Sequence, residues 1–381
     1  MGLETPEISL YFHIPFCRHK CPYCHFFVLP NKQDLHNLFL QSLFLEWQQK
    51  LPLLYGKTIV SIYFGGGTPS LLEEKSVHMI LEWILQSSSH IAKDCEITFE
   101  MNPEDGSLPY LKQIKKLGIN RISIGVQSLD DSLLEVLDRR HGAEKALHAI
   151  DNVFTAGIDN ISIDLMYDLP HQTFTAWQNT LHKIQKLPIS HLSLYNLTIE
   201  PHTLFFKKQK QLTPHLPTQE ISLQMLEYAC TYLESIDLKR YEISAFAKNK
   251  RYSKHNTGYW TGRSFLGYGP SSFSFWEKKR FRNIANLSKY HDLLKSGESP
   301  VDFEEKLSYP NDLNELLAVN LRLIEGVNLE EFQEKWGRLS SLTMKVLQSL
   351  QDKKWVEFEN KNVKLSKTGL LFYDSVAEEI I

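Results

Sequence analysis

This chain has few of the features that assign a function quickly. Cysteine is scarce, with five in 381 residues. No apolar run reaches the length that spans a bilayer. The start, MGLETPEISLYFHIPF, lacks the basic residues and long apolar stretch of a signal peptide. Net charge is only −3, so nothing global advertises nucleic acid or an anionic membrane surface. The glycine run GGGTPS lacks the Gly-Lys-Ser/Thr element of a phosphate loop and is no GxGxxG fingerprint, and there is no low-complexity tract. These absences point to a soluble, cytoplasmic protein, in whose compartment thiols stay reduced and bind metals rather than pair. A composition of 42% hydrophobic and 23% charged residues is that of a globular chain. Its length allows two or three domains.

Three of the cysteines stand together, Cys17, Cys21 and Cys24 in HIPFCRHKCPYCHFF. The spacing is Cys-x3-Cys-x2-Cys. Three thiolates on one loop hold three corners of a [4Fe–4S] cluster and leave the fourth iron open to a small molecule. Zinc is the alternative, with His19 or His25 as a fourth ligand. Cys95 and Cys230 are isolated and read as ordinary buried thiols.

Short β-branched runs alternate with helical patterns over the first 230 residues or so. The strands expected are Ile8–His13, Thr58–Phe64, Glu96–Glu100, Arg121–Val126, Asn160–Leu165 and His191–Leu197. Six strands alternating with helices imply parallel pairing and right-handed crossovers. An open doubly wound sheet and a barrel-like sheet both satisfy the pattern. The cysteines follow the first strand and GGGTPS the second. Glu100 and Asn102 end the third, Gln127 the fourth, and Asp164 lies near the end of the fifth. Polar chemistry therefore gathers at the carboxyl ends of the strands, where parallel α/β proteins bind ligands. Three glycines, Gly65 to Gly67, let the backbone approach a ligand closely; a tight turn is the plainer reading of the same run.

Beyond this region, FFKKQKQLTPHLPTQE reads as a linker, followed by a helix Glu220–Ser235 and a YEISAFA strand. Lys248–Arg282 is rich in glycine, aromatic and basic residues without a period. Helices are expected at Asp312–Ile324, Leu329–Trp336, Ser340–Leu350 and Thr368–Ile380, with a WVEFENKNVKLS hairpin before the last. That order is winged-helix-like. Phe303–Ile381 carries 10 Lys/Arg against 14 Asp/Glu, a poor phosphate binder, so packing or partner docking is the expected role.

The cysteine loop and glycine run together resemble the radical S-adenosylmethionine (SAM) superfamily, and within it the oxygen-independent coproporphyrinogen oxidase-like branch. The resemblance rests on YFHIPFCRHKCPYC, YFGGGTPSLL, FEMNPE, NRISIGVQSLDDSLLEVLDRRHG, DLMYDLP, LSLYNLTIEP, YEISAFA, HNTGYW and NLRLIEGVNLEEF, which occur in the expected order. It implies an α/β fold, a partial (β/α)6 barrel with a mostly helical, winged-helix-like C-terminal domain. The division implied is 1–235 for the core, 236–300 for a connecting region and 301–381 for the C-terminal domain.

Roles follow from the resemblance residue by residue. Cys17, Cys21 and Cys24 match the [4Fe–4S] ligands. Tyr11 and Tyr23 match aromatic neighbours of SAM, and Gly66, Gly67 and Thr68 its amino-group site. Glu100, Gln127, Arg139 and Asp164 match polar groups around the ribose and methionine ends. Carboxylates accept bonds from ribose hydroxyls, and an arginine pairs with a carboxylate. Taken singly, each is a surface or capping group, Arg139 above all, since Asp138 and Arg140 flank it.

Within the branch, the oxidase carries another cysteine two places after the third ligand, where this chain has Phe26. The short segment before Cys17 leaves little room for the oxidase's longer N-terminal segment. The haem chaperones of the branch lack that cysteine and carry HNxxYW, matched here by His255–Trp260. The resemblance therefore implies a haem chaperone that serves haem-requiring acceptor proteins, with His255 as a haem ligand, a homodimer and transient membrane contact. The alternative is an oxygen-independent coproporphyrinogen III oxidase. Departures from the family stand at His25, Asp168, His171 and GYGPSSFS.

Overall fold

The computed structural model of the protein describes residues 5–87 and 90–381. The MGLE start of the leader reading lies outside them. Six parallel strands form the centre: β1 (Glu7–Ile14), β2 (Thr58–Gly66), β3 (Ile91–Met101), β4 (Arg121–Gln127), β5 (Asn160–Tyr167) and β6 (His191–Asn196). They lie side by side in chain order. Helices connect them, among them Gln33–Lys50, Glu74–Ser87, Leu108–Lys116, Ala143–Thr155 and Phe174–Ile184.

Strand alternation explains why this sheet has two dissimilar faces. Leu10, Phe12, Ile62, Phe64, Ile122, Ile124, Ile161 and Ile163 are buried in the main apolar core. The residues between them are polar yet also buried: Ser9, Ser61, Thr98, Arg121, Ser123, Ser162 and His191. These face inward and several bond across strands, as Ser61 to Ser9 (2.8 Å) and Ser162 to His191 (2.8 Å), while Thr98 Oγ1 has no partner. A fully closed, apolar barrel core would not tolerate this lining without such pairing. The result is an open, partial (β/α)6 barrel with a polar interior.

The sheet continues beyond both edges. A hairpin, β7 (Lys239–Glu242) and β8 (Ala245–Ala247), extends it antiparallel from β6. At the other edge, β9 (Phe265–Tyr268) runs parallel to β1, followed by the antiparallel β10 (Phe273–Trp276), β11 (Lys279–Asn283) and β12 (Val301–Lys306). A second apolar core, Leu313 to Ile380, is built from helices and a small three-stranded sheet. The two meet where Trp260 stacks on Arg322, its guanidinium carbon 4.3 Å from the ring. Among the described residues, no helix is long and apolar enough to cross a membrane.

Some elements differ from their sequence expectation. YEISAFA is a hairpin, because Arg240 Nε donates to the Ile243 carbonyl (3.0 Å) across the turn. The linker folds into short helices, Leu204–Lys207 and Gln209–Leu212, and Phe205 packs near Tyr23. The last helix is two pieces, Lys367–Leu371 and Tyr373–Ile380. Lys248–Arg282 hides a helix, Lys254–Trp260, beside β9 to β11.

One buried carboxylate ties the extension to the barrel's helices. Glu46, fully buried in Gln33–Lys50, accepts from Lys50 Nζ (2.6 Å), Asn283 Nδ2 (2.5 Å), Gly269 N (2.7 Å) and Tyr290 Oη (2.5 Å). Removing one member of a buried ion pair leaves the other charge without compensation. Glu46→Ala is expected to cost about 3–5 kcal/mol of unfolding free energy in urea titrations. A loss under about 1 kcal/mol would show that water replaces the carboxylate there.

Candidate functional site

A cavity of about 860 Å³ opens at the carboxyl ends of the strands. Cys17, Cys21 and Cys24 line it, with Tyr23, Gly66, Gly67, Thr68, Glu100, Gln127, Arg139 and Asp164. Residues from five strand ends and the cysteine loop thus meet in one place. Tyr11 is not in the lining. Its ring lies deeper in the barrel, 6.0 Å from that of Tyr63.

The cysteine loop is fixed by backbone as well as side chains. Phe16–Cys17 pairs with Leu29–Pro30, and Gly67 N donates to the Ile14 carbonyl (2.8 Å). A Cβ at Gly67 would lie 2.7 Å from the Phe16 carbonyl oxygen and 2.8 Å from that of Ile14. Backbone on both sides leaves no room for one. Gly66 is left-handed at φ 105°, and a Cβ there would meet the His13 ring. The glycine run is therefore a close-approach device that presses the cysteine loop onto the end of β2. His13 supports it from below, its Nε2 3.0 Å from the Phe27 carbonyl oxygen.

Three polar ties hold the loop to its neighbours. Arg18 reaches Asp105, His19 reaches Asp138 (2.5 Å), and Arg139 Nη1 donates to Cys21 Sγ (3.4 Å). Arg139 also donates from Nη2 to Asn102 Oδ1 and the Gly125 carbonyl, both at 2.7 Å. It points inward, while Asp138 and Arg140 face one another outside. Its buried Nε has no hydrogen-bond partner. Thr68 Oγ1 sits 3.4 Å from Cys17 Sγ and accepts from Asn102 Nδ2 (3.2 Å).

Burial pushes the Cys17 thiol up to about 11 and raises that of Cys24. The thiols are thus held neutral until a cation favours the thiolate. Among the described residues, no three His, Cys, Asp or Glu side chains converge as a site for one metal ion. His19 is turned to Asp138 and His25 stacks on Phe26. This geometry does not match the zinc alternative. Each thiolate of a cubic cluster binds its own iron, so thiols standing apart around a roomy cavity fit that group.

Two carboxylates are enclosed on the barrel side. Glu100 accepts from Tyr63 Oη (2.6 Å) through Oε1 and from Gly66 N (3.2 Å) through Oε2. Burial nevertheless raises it to about 7. Burial likewise raises Asp164 to about 6, against Ser123 Oγ at 3.5 Å. Gln127 reaches the cavity because its backbone is left-handed, φ 64°, where the β4–β5 register shifts. Glu104, which shares the cavity wall, has Oε2 3.3 Å from His141 Nδ1; burial raises its carboxyl, but the neighbouring His141 and Arg139 bring it down to about 2.

His255, expected as a haem ligand, stands on the helix Lys254–Trp260. It is 1% exposed inside the barrel, away from any surface, with Nδ1 3.0 Å from Ser61 Oγ and Nε2 2.7 Å from Tyr259 Oη. Both ring nitrogens are engaged, so in this arrangement neither is available to iron. Tyr63, Asn102, Glu104 and the Arg18–Asp105 tie were not picked out as site residues from the sequence, although Asn102 was noted at its strand end. Tyr63 had one signal, its position in phase with Ser61 on β2. The departures Asp168 and His171 are left-handed, φ 62° and 67°, a backbone region that favours glycine. Asp168 accepts from Ser222 and Asn196, and His171 stacks on His215 at 4.2 Å.

A parallel barrel with a three-cysteine loop after β1 and a glycine-pressed β2 end defines a radical SAM domain. Residues 11–184 match the radical SAM superfamily, and residues 307–372 match the HemN C-terminal domain. The chain is 32% identical to "Heme chaperone HemW" of Bacillus subtilis, over 97% of each. It is 30% identical to "Radical S-adenosyl methionine domain-containing protein 1, mitochondrial" of Danio rerio, over 98% of this chain and 87% of that one. The solved structure of coproporphyrinogen III oxidase (HemN) from Escherichia coli superposes with TM-score 0.85 at 22% identity, covering 99% of this chain and 90% of that one. That likeness shows the fold. The chain belongs to the HemN-like radical SAM family, in the branch that holds the HemW proteins.

The raised Glu100 gives a test in the metal-free protein. An acid whose folded value lies above its unfolded one contributes fully at low pH, and that contribution is lost as pH rises through the folded value. Stability should therefore fall between about pH 4.5 and 7 on account of Glu100. Glu100→Gln should be more stable than the parent at pH 8, by on the order of 2 kcal/mol, and gain nothing at pH 4. An equal effect at both pH values in urea titrations would place the carboxyl in water.

Proposed function

We propose that this protein is a haem chaperone of radical SAM fold. It holds a [4Fe–4S] cluster and SAM, binds haem, and passes it to haem-requiring acceptor proteins. Full-length likeness to proteins named heme chaperones carries the reading. The cavity chemistry supports its cofactor half.

In this reading Cys17, Cys21 and Cys24 hold the cluster, and SAM lies across Gly66, Gly67 and Thr68. Glu100 would accept from the amino group of SAM, Arg139 would pair with its carboxylate, and Asp164 would accept from a ribose hydroxyl. Gln127 and Tyr23 close the sides. Held by Cys17, Cys21 and Cys24, a reduced cluster would be able to supply a single electron to the sulfonium carbon–sulfur bond. The protein's own part is positional. Thr68 and Arg139 donate toward cysteine sulfurs, which favours the thiolate form. Phe26, half-exposed at the cavity mouth, supplies an apolar surface where the oxidase has a cysteine.

The second reading, oxidative decarboxylation of coproporphyrinogen III, draws on the HemN fold likeness alone. Anaerobic incubation of reconstituted protein with coproporphyrinogen III, SAM and a reductant separates the two. We expect no protoporphyrinogen IX, together with a Soret shift on haem titration. Turnover without haem binding would favour the oxidase.

A further inference from the structure

The helix Lys254–Trp260 closes the barrel at the end opposite the cysteines. Its first amides are received by Glu96: Lys254 N and His255 N donate to Oε2 and Oε1, each at 3.1 Å. This anchor drives the His255 ring between β1 and β2. Ser61 Oγ spends its proton on Ser9 (2.8 Å), so it accepts from Nδ1–H of His255. Nε2 then accepts from Tyr259 Oη at 2.7 Å. Burial pushes the ring down to about 3, which keeps it neutral with its one lone pair already used.

What the ring touches next is the site. His255 lies 4.8 Å from the Tyr63 ring, centre to centre. The far end of that ring, its hydroxyl, donates to Glu100, the carboxylate that also holds Gly66 N. A continuous path of contacts thus runs from the barrel floor to the glycine run. No other histidine lies within ring contact of Tyr63 among the described residues.

We propose that His255 is a positioning residue for Glu100, acting through Tyr63, and that its place in HNxxYW serves the SAM site rather than haem iron. The inference rests on the reading that SAM binds at Glu100. Losing the His255 ring lets Tyr63 sink into the space left and draws its hydroxyl off Glu100. The SAM amino group then meets a carboxylate that is misplaced and more readily neutral. Haem affinity does not depend on this path.

The test uses the anaerobically reconstituted full chain and three measurements: SAM affinity by equilibrium dialysis, haem affinity from the Soret band, and melting temperature. Tyr63→Phe keeps the ring and removes only the donor to Glu100. It should weaken SAM binding about tenfold, the worth of one charge-assisted hydrogen bond. Haem affinity should stay within about twofold. His255→Ala should weaken SAM to a similar degree, also sparing haem. The pH profile of SAM affinity adds a readout that mere loosening would not move. Glu100 faces Tyr63, Asp164 and Arg121, and loss of the Tyr63 donor should shift the rise in affinity to higher pH. Unchanged SAM affinity in either variant, or loss of the Soret shift in His255→Ala with SAM binding intact, would overturn the inference. If His255→Ala does not fold, His255→Leu takes its place, with the same weakening of SAM binding expected and unchanged SAM affinity again overturning it. Parent protein that binds no SAM would sink the underlying reading as well, which sets that outcome apart.

Discussion

Two carbonyl oxygens, those of Ile14 and Phe16, occupy the space where residue 67 would carry a Cβ. That backbone-on-backbone contact sets the geometry of everything above it. It seats the first cysteine beside Thr68, directs the loop across the cavity, and leaves Cys21 within reach of Arg139. Any side chain at 67 would push the loop off the end of β2. The glycine run is thus a packing requirement.

The barrel interior works by a second constraint, which is that polar groups taken from water must find one another. Ser9, Ser61, Tyr63, Glu96, Glu100 and His255 do so in a chain of contacts that runs the depth of the barrel. One end of that chain is the cavity and the other is the Lys254–Trp260 helix, whose Trp260 rests on Arg322 of the C-terminal unit. The site and the C-terminal unit are therefore linked through side chains that belong to neither. A polar interior of this kind is stable only while every member keeps its partner, which makes it sensitive to single substitutions.

Much of this was legible in the sequence because the signals were periodic or local. The six parallel strands follow from β-branched runs, and β1 to β6 fall within a few residues of where those runs lie, although β3 begins five residues early. The cysteine loop, the glycine run, Glu100, Gln127 and Asp164 stand at or near strand ends, Arg139 follows only from the family resemblance, and all of them line one cavity. Two kinds of feature were not legible. Tyr63 and Glu104 act by spatial contact between strands, which no local pattern records. His255 is named only through its HNxxYW match, and no local pattern records the Glu96 anchor on its helix that turns it inward. The YEISAFA hairpin was missed because its turn is held by Arg240, a residue with no turn signature.

The central claim is that the three thiols around this cavity hold an iron–sulfur cube with one iron left for SAM. Electron paramagnetic resonance on anaerobically reconstituted, dithionite-reduced protein tests it most directly. The account predicts about four irons per chain, a reduced [4Fe–4S] signal, and a change in that signal when SAM is added. Protein that stays colourless and takes up one zinc, or a cluster signal indifferent to SAM, would contradict it.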